Sequence, residues 1–119
     1  MMKYEKELVI DPAFWGRGEG PSSRLLRGDG QMCCLGFACI QEGFAAEQIL
    51  NKRLPSNLSS GGRLLLHTFL QSLRENEEVI AEINDDALIP STPEGDMYRI
   101  ARLQPYFDKL GIKLVLRGT

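Results

Sequence analysis

The 119-residue chain has one histidine, one tryptophan and three cysteines, no excess of basic charge and no long apolar run. A single histidine confines imidazole chemistry to His67, and Cys33, Cys34 and Cys39 have no downstream Cys/His pair to complete a zinc site. Cys33-Cys34 followed by four residues and Cys39 is not a zinc-knuckle spacing either, so no metal ligands and no cofactor are expected. An odd thiol count with two thiols adjacent speaks against a disulfide framework, because a bridge across one peptide bond is hard to close. Three reduced, buried thiols are the plain expectation. The formal net charge of -2 argues against a dedicated nucleic-acid binder, whose balance is basic. With no apolar run of spanning length, and with charge alternating with hydrophobe in the opening MMKYEKELVI, we expect a soluble cytoplasmic protein that has no membrane partner.

What is present is an average globular composition, 43% apolar and 25% charged, in a length that one core can serve. We therefore expect a single globular domain over 1–119. The chain is organised around 15–43, WGRGEGPSSRLLRGDGQMCCLGFACIQEG, which holds seven of the twelve glycines and all three cysteines. It reads as a glycine-rich loop, a short strand over 23–27, a tight turn at Arg27-Gly28-Asp29-Gly30 and a helix over 33–41. That helix is apolar nearly all round, so it must be buried. Gly36 inside it costs about 1 kcal/mol against alanine and should serve a close approach by another element. Gly43 is its natural stop.

Around this stretch, alternation predicts a strand over 4–10, ended by Asp11-Pro12. One or two helical turns fit 45–50. An amphipathic helix fits 63–74, with Leu65, Leu66, Phe69, Leu70 and Leu73 on one face and His67 on the other. A further helical piece over 77–83 turns Val79, Ile80 and Ile83 inward and breaks at Asn84-Asp85-Asp86. Ser91 or Thr92 caps a helix opened by Pro93 and Glu94, with Met97, Ile100, Ala101, Leu103, Phe107 and Leu110 inward. Pro105 should kink or divide it, and Gly111 ends it before a strand over 112–116. Strands and helices do not strictly alternate. The expected class is α+β, a small antiparallel sheet of two or three short strands packed with about four helices.

Three constellations could carry function. Cys33 or Cys34 follows a glycine turn at a helix start, where amides and the helix dipole lower a thiol pKa. With His67 as base and Asn84 or Asp85 to orient it, this would make a thiol-dependent enzyme. Arg17, Arg24 and Arg27, beside Trp15 and among glycines and serines, could hold a phosphate or carboxylate, although no Walker-type motif is present. Residues 75–86 bring six carboxylates (Glu75, Glu77, Glu78, Glu82, Asp85 and Asp86) with no basic residue, an acidic face suited to a basic partner or to nucleic-acid mimicry.

Trp15-Gly16-Arg17-Gly18, Ser23-Arg24-Leu25-Leu26 and Gly30-Gln31-Met32-Cys33-Cys34-Leu35-Gly36-Phe37 together resemble the core of a family of small proteins from bacteriophages and bacterial genomes. Ile83-Asn84-Asp85-Asp86 and Gly111-Ile112-Lys113-Leu114-Val115 extend the resemblance over most of the chain, with a departure at Pro105. It carries no established activity. It implies an accessory protein of phage or prophage type, acting in the bacterial cytoplasm by binding a host or phage protein or a nucleotide, host-defence inhibition included. A non-enzymatic binding module using Trp15, Arg17, Arg24 and Arg27 is the leading expectation. The thiol-dependent enzyme and the acidic-face inhibitor are its alternatives.

Overall fold

Strand β1 (Lys6–Ile10) buries Leu8 and Ile10 and leaves Glu7 and Val9 outside, the period-two pattern of a sheet with one dry face. Strand β2 (Ile112–Leu116) likewise buries Ile112, Leu114 and Leu116. A computed structural model describes residues 4–18, 24–58, 72 and 74–117. In it the two strands pair parallel, from Lys6 opposite Ile112 to Ile10 opposite Leu116. The α+β class stands, with four described helices and this two-stranded sheet. The antiparallel direction does not. Alternation is the same whichever way a strand runs, and parallel strands need a long crossover, supplied here by all the helices between the chain's two ends.

Helix α1 (Cys34–Gln41) is the buried centre: Cys34, Leu35, Ala38 and Cys39 are fully inside. A Cβ on Gly36 would stand 1.8 Å from the Leu25 carbonyl oxygen, so the close approach expected there exists and is a backbone crossing. Gly43, at φ 106°, ends the helix: its N–H donates to Ile40 O at 3.1 Å, and Phe44 N–H to Cys39 O at 3.0 Å. Helix α2 (Ala46–Ile49) adds one turn, with Ile49 buried. Of the strand expected over 23–27, the described residues 24–27 form only an isolated bridge between Leu26 and Leu50, with a second bridge between Trp15 and Met32. The Arg27–Gly30 turn is present, Arg27 N–H donating to Gln31 O at 2.8 Å and Gly30 N–H to Arg27 O at 3.0 Å.

Helix α3 (Glu77–Asp85) runs two residues past the expected end at Ile83, taking Asn84 and Asp85 into its last turn. Helix α4 (Pro93–Asp108) begins with Thr92 Oγ1 accepting the Gly95 N–H at 3.1 Å. Pro105 does not divide it. The carbonyl left without a donor belongs to Ala101, exposed like Pro105 itself, so water can serve it. The inward row also differs from expectation: Met97 is 60% exposed and Ala101 is outside, whereas Asp96, Arg99, Leu103 and Phe107 are buried. Through Gly111, α4 turns back along β2. There Gln104 behaves as a missing strand: its Nε2 donates to Ile112 O at 2.9 Å and its Oε1 accepts Leu114 N–H at 2.8 Å. Apart from Ser72 and Arg74, the helix expected over 63–74, His67 included, lies outside the described residues.

Candidate functional site

One member of each of the three constellations, Trp15, Cys34 and Asp85, meets at one side chain. Asn84, fully buried on the last turn of α3, accepts the Trp15 indole N–H at 2.7 Å and the Cys34 backbone N–H at 3.0 Å on the same Oδ1. Its Nδ2 donates to Gly16 O at 2.9 Å and Asp85 Oδ1 at 3.0 Å, and its backbone carbonyl accepts Gly18 N–H at 2.9 Å. The loop of 11–18, the start of α1 and the end of α3 are thereby tied to one amide. Cys34 N–H is one of the amides at a helix start with no carbonyl of its own helix to bond, so a buried start needs such an acceptor.

A second layer surrounds this hub. Arg17 forms a two-pronged ion pair with Asp96, Nε to Oδ1 at 2.8 Å and Nη2 to Oδ2 at 2.7 Å. Its Nη1 donates to Trp15 O and Pro12 O, and its guanidinium lies 5.2 Å from the centre of the Trp15 ring. Arg99 is wholly buried. It donates Nη1 to the carbonyls of Ile83, Asn84 and Asp86, at 2.8, 2.9 and 3.1 Å, and Nη2 to Ile89 O at 2.6 Å. Those first acceptors are the negative end of α3, where a cation is stabilised. Burial pulls the Arg99 pKa below the ordinary arginine value, while the neighbouring Asp96 carboxylate works the other way. Arg99 Nε is the buried side-chain atom left without an acceptor among the described residues.

The thiols are buried and lie against this network. Burial pushes Cys33 up to about 12 and Cys34 well above the ordinary thiol range. The amides of Gly36 and Leu35 do pull Cys33 down, as a helix start should, but desolvation outweighs them. Cys39 is likewise raised, to about 12. Asn84, one of the two residues expected to orient a histidine, has its amide committed to Trp15, Cys34, Gly16 and the other, Asp85.

Of the loop arginines, Arg17 is thus held by Asp96, and Arg27 pairs with Asp29 across its own turn. That pairing, with the Gln31 N–H on the same carboxylate, holds Asp29 down at about 2. Arg24 lies beside the crossing, its backbone carbonyl accepting Cys33 N–H at 3.0 Å. The structure therefore brings Trp15 and Arg17 together, and sets Arg27 on a separate turn.

The acidic segment is not one face. Glu77 is buried and accepts Ser56 N–H at 3.2 Å, whereas Glu78 and Glu82, four residues apart, are exposed. Asp85 receives the Asn84 amide, and Asp86 accepts Leu88 N–H at 2.9 Å and lies 3.8 Å from Arg102. Two features escaped the sequence reasoning. Asp96 and Arg99 carry the second layer; the signal available was a polar pair standing in the same row as Leu103 and Phe107. The other is an open groove of about 360 Å³ between α4 and the outer sheet face, lined by Met97, Ile100 and Val115 with Glu7 and Lys113.

On the surface, the turn at Pro12–Phe14 lies beside the Arg27–Gln31 turn. Met32 N–H donates to Phe14 O at 2.8 Å, and Gln31 Nε2 to Ala13 O at 3.1 Å. Asp11 closes the first turn, accepting Phe14 N–H at 3.0 Å on its carbonyl and Ala13 N–H at 3.0 Å on its side chain. Phe14 stands out from it, 54% exposed. No described helix is long and apolar enough to cross a membrane, and among the described residues no group of three His, Cys, Asp or Glu side chains is placed to hold a metal. No family model, no curated protein and no solved structure matches this chain.

Proposed function

We propose that this chain is a non-enzymatic binding module that docks a host or phage protein through the paired turns at Pro12–Phe14 and Arg27–Gln31. The observation that carries this is Phe14. A large aromatic ring, half exposed, stands on a turn whose backbone is tied on both sides. Rigid aromatic anchors lose little entropy on binding, and aromatic and arginine side chains dominate interface energetics. Arg27, Asp29 and Gln31 beside it supply polar rim contacts. In this proposal Trp15 and Arg17 hold the turn in place from beneath, and Arg24 and Arg27 remain the arginines for an anionic group on the partner. The burial and raised pKa of Cys33 and Cys34 favour binding over thiol chemistry. The phage-type, cytoplasmic setting and the antagonism of a host defence rest on the resemblance described above.

Capture from bacterial host lysate, compared across variants, tests the assignment. A partner retained by the unaltered chain and by Cys34→Ala should be lost by Phe14→Ala, at least about 30-fold in affinity for an anchor residue. Retention by Phe14→Ala, with loss in Glu78→Lys/Glu82→Lys or in high salt, would move recognition to the exposed acidic pair. Loss in Cys34→Ala alone, with the fold intact, would return the thiols to consideration.

A further inference from the structure

We propose that the outer edge of β1 is an interface with a second copy of this chain, the two β1 strands pairing antiparallel to give a closed four-stranded sheet β2-β1-β1′-β2′. In the parallel register, Lys6 N–H reaches Gly111 O and Ile10 O receives Arg117 N–H, so Lys6, Leu8 and Ile10 direct their backbone groups to β2. Glu7 and Val9 therefore direct their N–H and C=O groups away from it. Among the described residues no partner takes them. An unpaired strand edge of this kind is a ready template for another strand, and a two-stranded sheet gains most from one.

The opposite edge explains why the association closes. At β2 the Ile112 carbonyl and the Leu114 N–H are already taken by Gln104, so β1 is the more open side of the sheet. A two-fold axis through Leu8 places Glu7 opposite Val9′ and Val9 opposite Glu7′, and lets all four outward N–H and C=O pairs close. A register centred on Glu7 would oppose two carboxylates, which is destabilising. For a second copy, the charge pattern thus favours the Leu8-centred register over the Glu7-centred one. On the outer face the Leu8-centred register sets Lys113, Glu7, Val9′ and Val115′ in one row across the sheet, covering part of Val9, which is 46% exposed in the single chain. The interface is separate from the Phe14 turn and does not depend on the binding role proposed for it.

Sedimentation of the full chain between about 1 and about 300 µM reads the association, which should give twice the 13.3 kDa chain mass at the upper end. Val9→Pro is the decisive variant. Its N–H faces outward, so proline leaves the β1–β2 ladder intact while removing a donor and placing its ring against the neighbouring strand. It should remain folded, with buried Trp15 fluorescence, and weaken association at least about 30-fold. Amide exchange on the unaltered chain gives an independent reading should that variant fail to fold. Glu7 and Val9 amides should gain protection with concentration, while the Leu8 amide is protected at every dilution. A monomer at every concentration overturns the proposal, as do a folded Val9→Pro that still dimerises and Glu7 and Val9 amides that exchange alike at both ends of the range. A monomer whose Glu7 and Val9 amides are protected even when dilute would also overturn it, by showing the edge covered from within the chain.

Discussion

Replacing Asn84 with alanine removes one side chain and strands three buried groups. Trp15 Nε1–H and Cys34 N–H lose their shared acceptor, and the Gly16 carbonyl loses its donor. A buried polar group left without a partner costs about 1–3 kcal/mol. Because two donors share one oxygen the losses do not simply add, and a total of about 3–6 kcal/mol is expected. Against a whole-domain stability of about 5–15 kcal/mol, that is a large share. Trp15 is the single tryptophan and is fully buried, so urea unfolding followed by its fluorescence reads the hub directly. The midpoint should fall at unchanged slope. Asn84→Asp separates the two halves of the amide. It keeps an acceptor for Trp15 and Cys34 but sets a second oxygen against Gly16 O and Asp85 Oδ1. Those neighbours raise the introduced carboxyl's folded pKa above the unfolded value of about 3.9. Its contribution is then present at acid pH and lost as pH rises through the folded pKa, so this variant should recover relative to the parent on acidification. A loss below about 1 kcal/mol for Asn84→Ala would refute the hub as a source of stability.

Gly36→Ala should be among the most damaging single methyl additions, because its Cβ meets the Leu25 carbonyl at 1.8 Å and that segment is tied by Leu25 N–H to Lys52 O. We expect a loss of about 3 kcal/mol or failure to fold, and a midpoint near the parent's would show that the crossing yields easily. Gln104→Ala uncovers Ile112 O and Leu114 N–H and should lower the urea midpoint by about 1 kcal/mol, with faster exchange of the Leu114 amide; unchanged exchange there would contradict the strand-like role of Gln104. The thiols should make the fold sensitive to alkali. Their folded pKa values are raised, so their contribution is complete below about pH 8.5 and is lost as pH rises toward about 12, by about 1.4 kcal/mol per pH unit for each thiol. Alkylation read by mass spectrometry at about pH 8 should accordingly label none of the three before unfolding, and labelling of Cys33 or Cys34 at a free cysteine's rate would contradict the burial.

Much of the fold is legible in residue order because it is local. Alternation in Leu8 and Ile10, the apolar run of α1, Thr92 before Pro93 and the glycines at 43 and 111 each act within a few positions, and each sits where the pattern places it. Strand direction is not local. It is set by where α4 lies when it returns β2 to the sheet, over a hundred residues after β1, and no residue of either strand records it. The inward row of α4 failed for a different reason. Counting apolar side chains selects Met97 and Ala101, whereas the buried positions include Asp96 and Arg99, which are admitted because each is paired or hydrogen-bonded. Hydrophobicity cannot reveal a buried ion pair whose other half, Arg17, is seventy-nine positions away.

The same distance explains why the candidate residues were visible while their roles were not. Trp15, Gly16, Gly18, Cys34 and Asn84 look like a chemical signature because they are unusual residues at tight spacing. In space they satisfy one another: the indole, two backbone N–H groups and one carbonyl all meet the Asn84 residue. A buried amide with every donor and acceptor engaged favours one arrangement of three chain segments over its competitors, since any other leaves polar groups dry and unpaired. A reacting group needs the reverse, a polar atom kept available at an opening. On that criterion the signature is the foundation beneath the surface. Functional contacts are better sought in what it holds outward: Phe14 and the Arg27–Gln31 turn on one side, and on the other the edge of β1 that no described residue pairs.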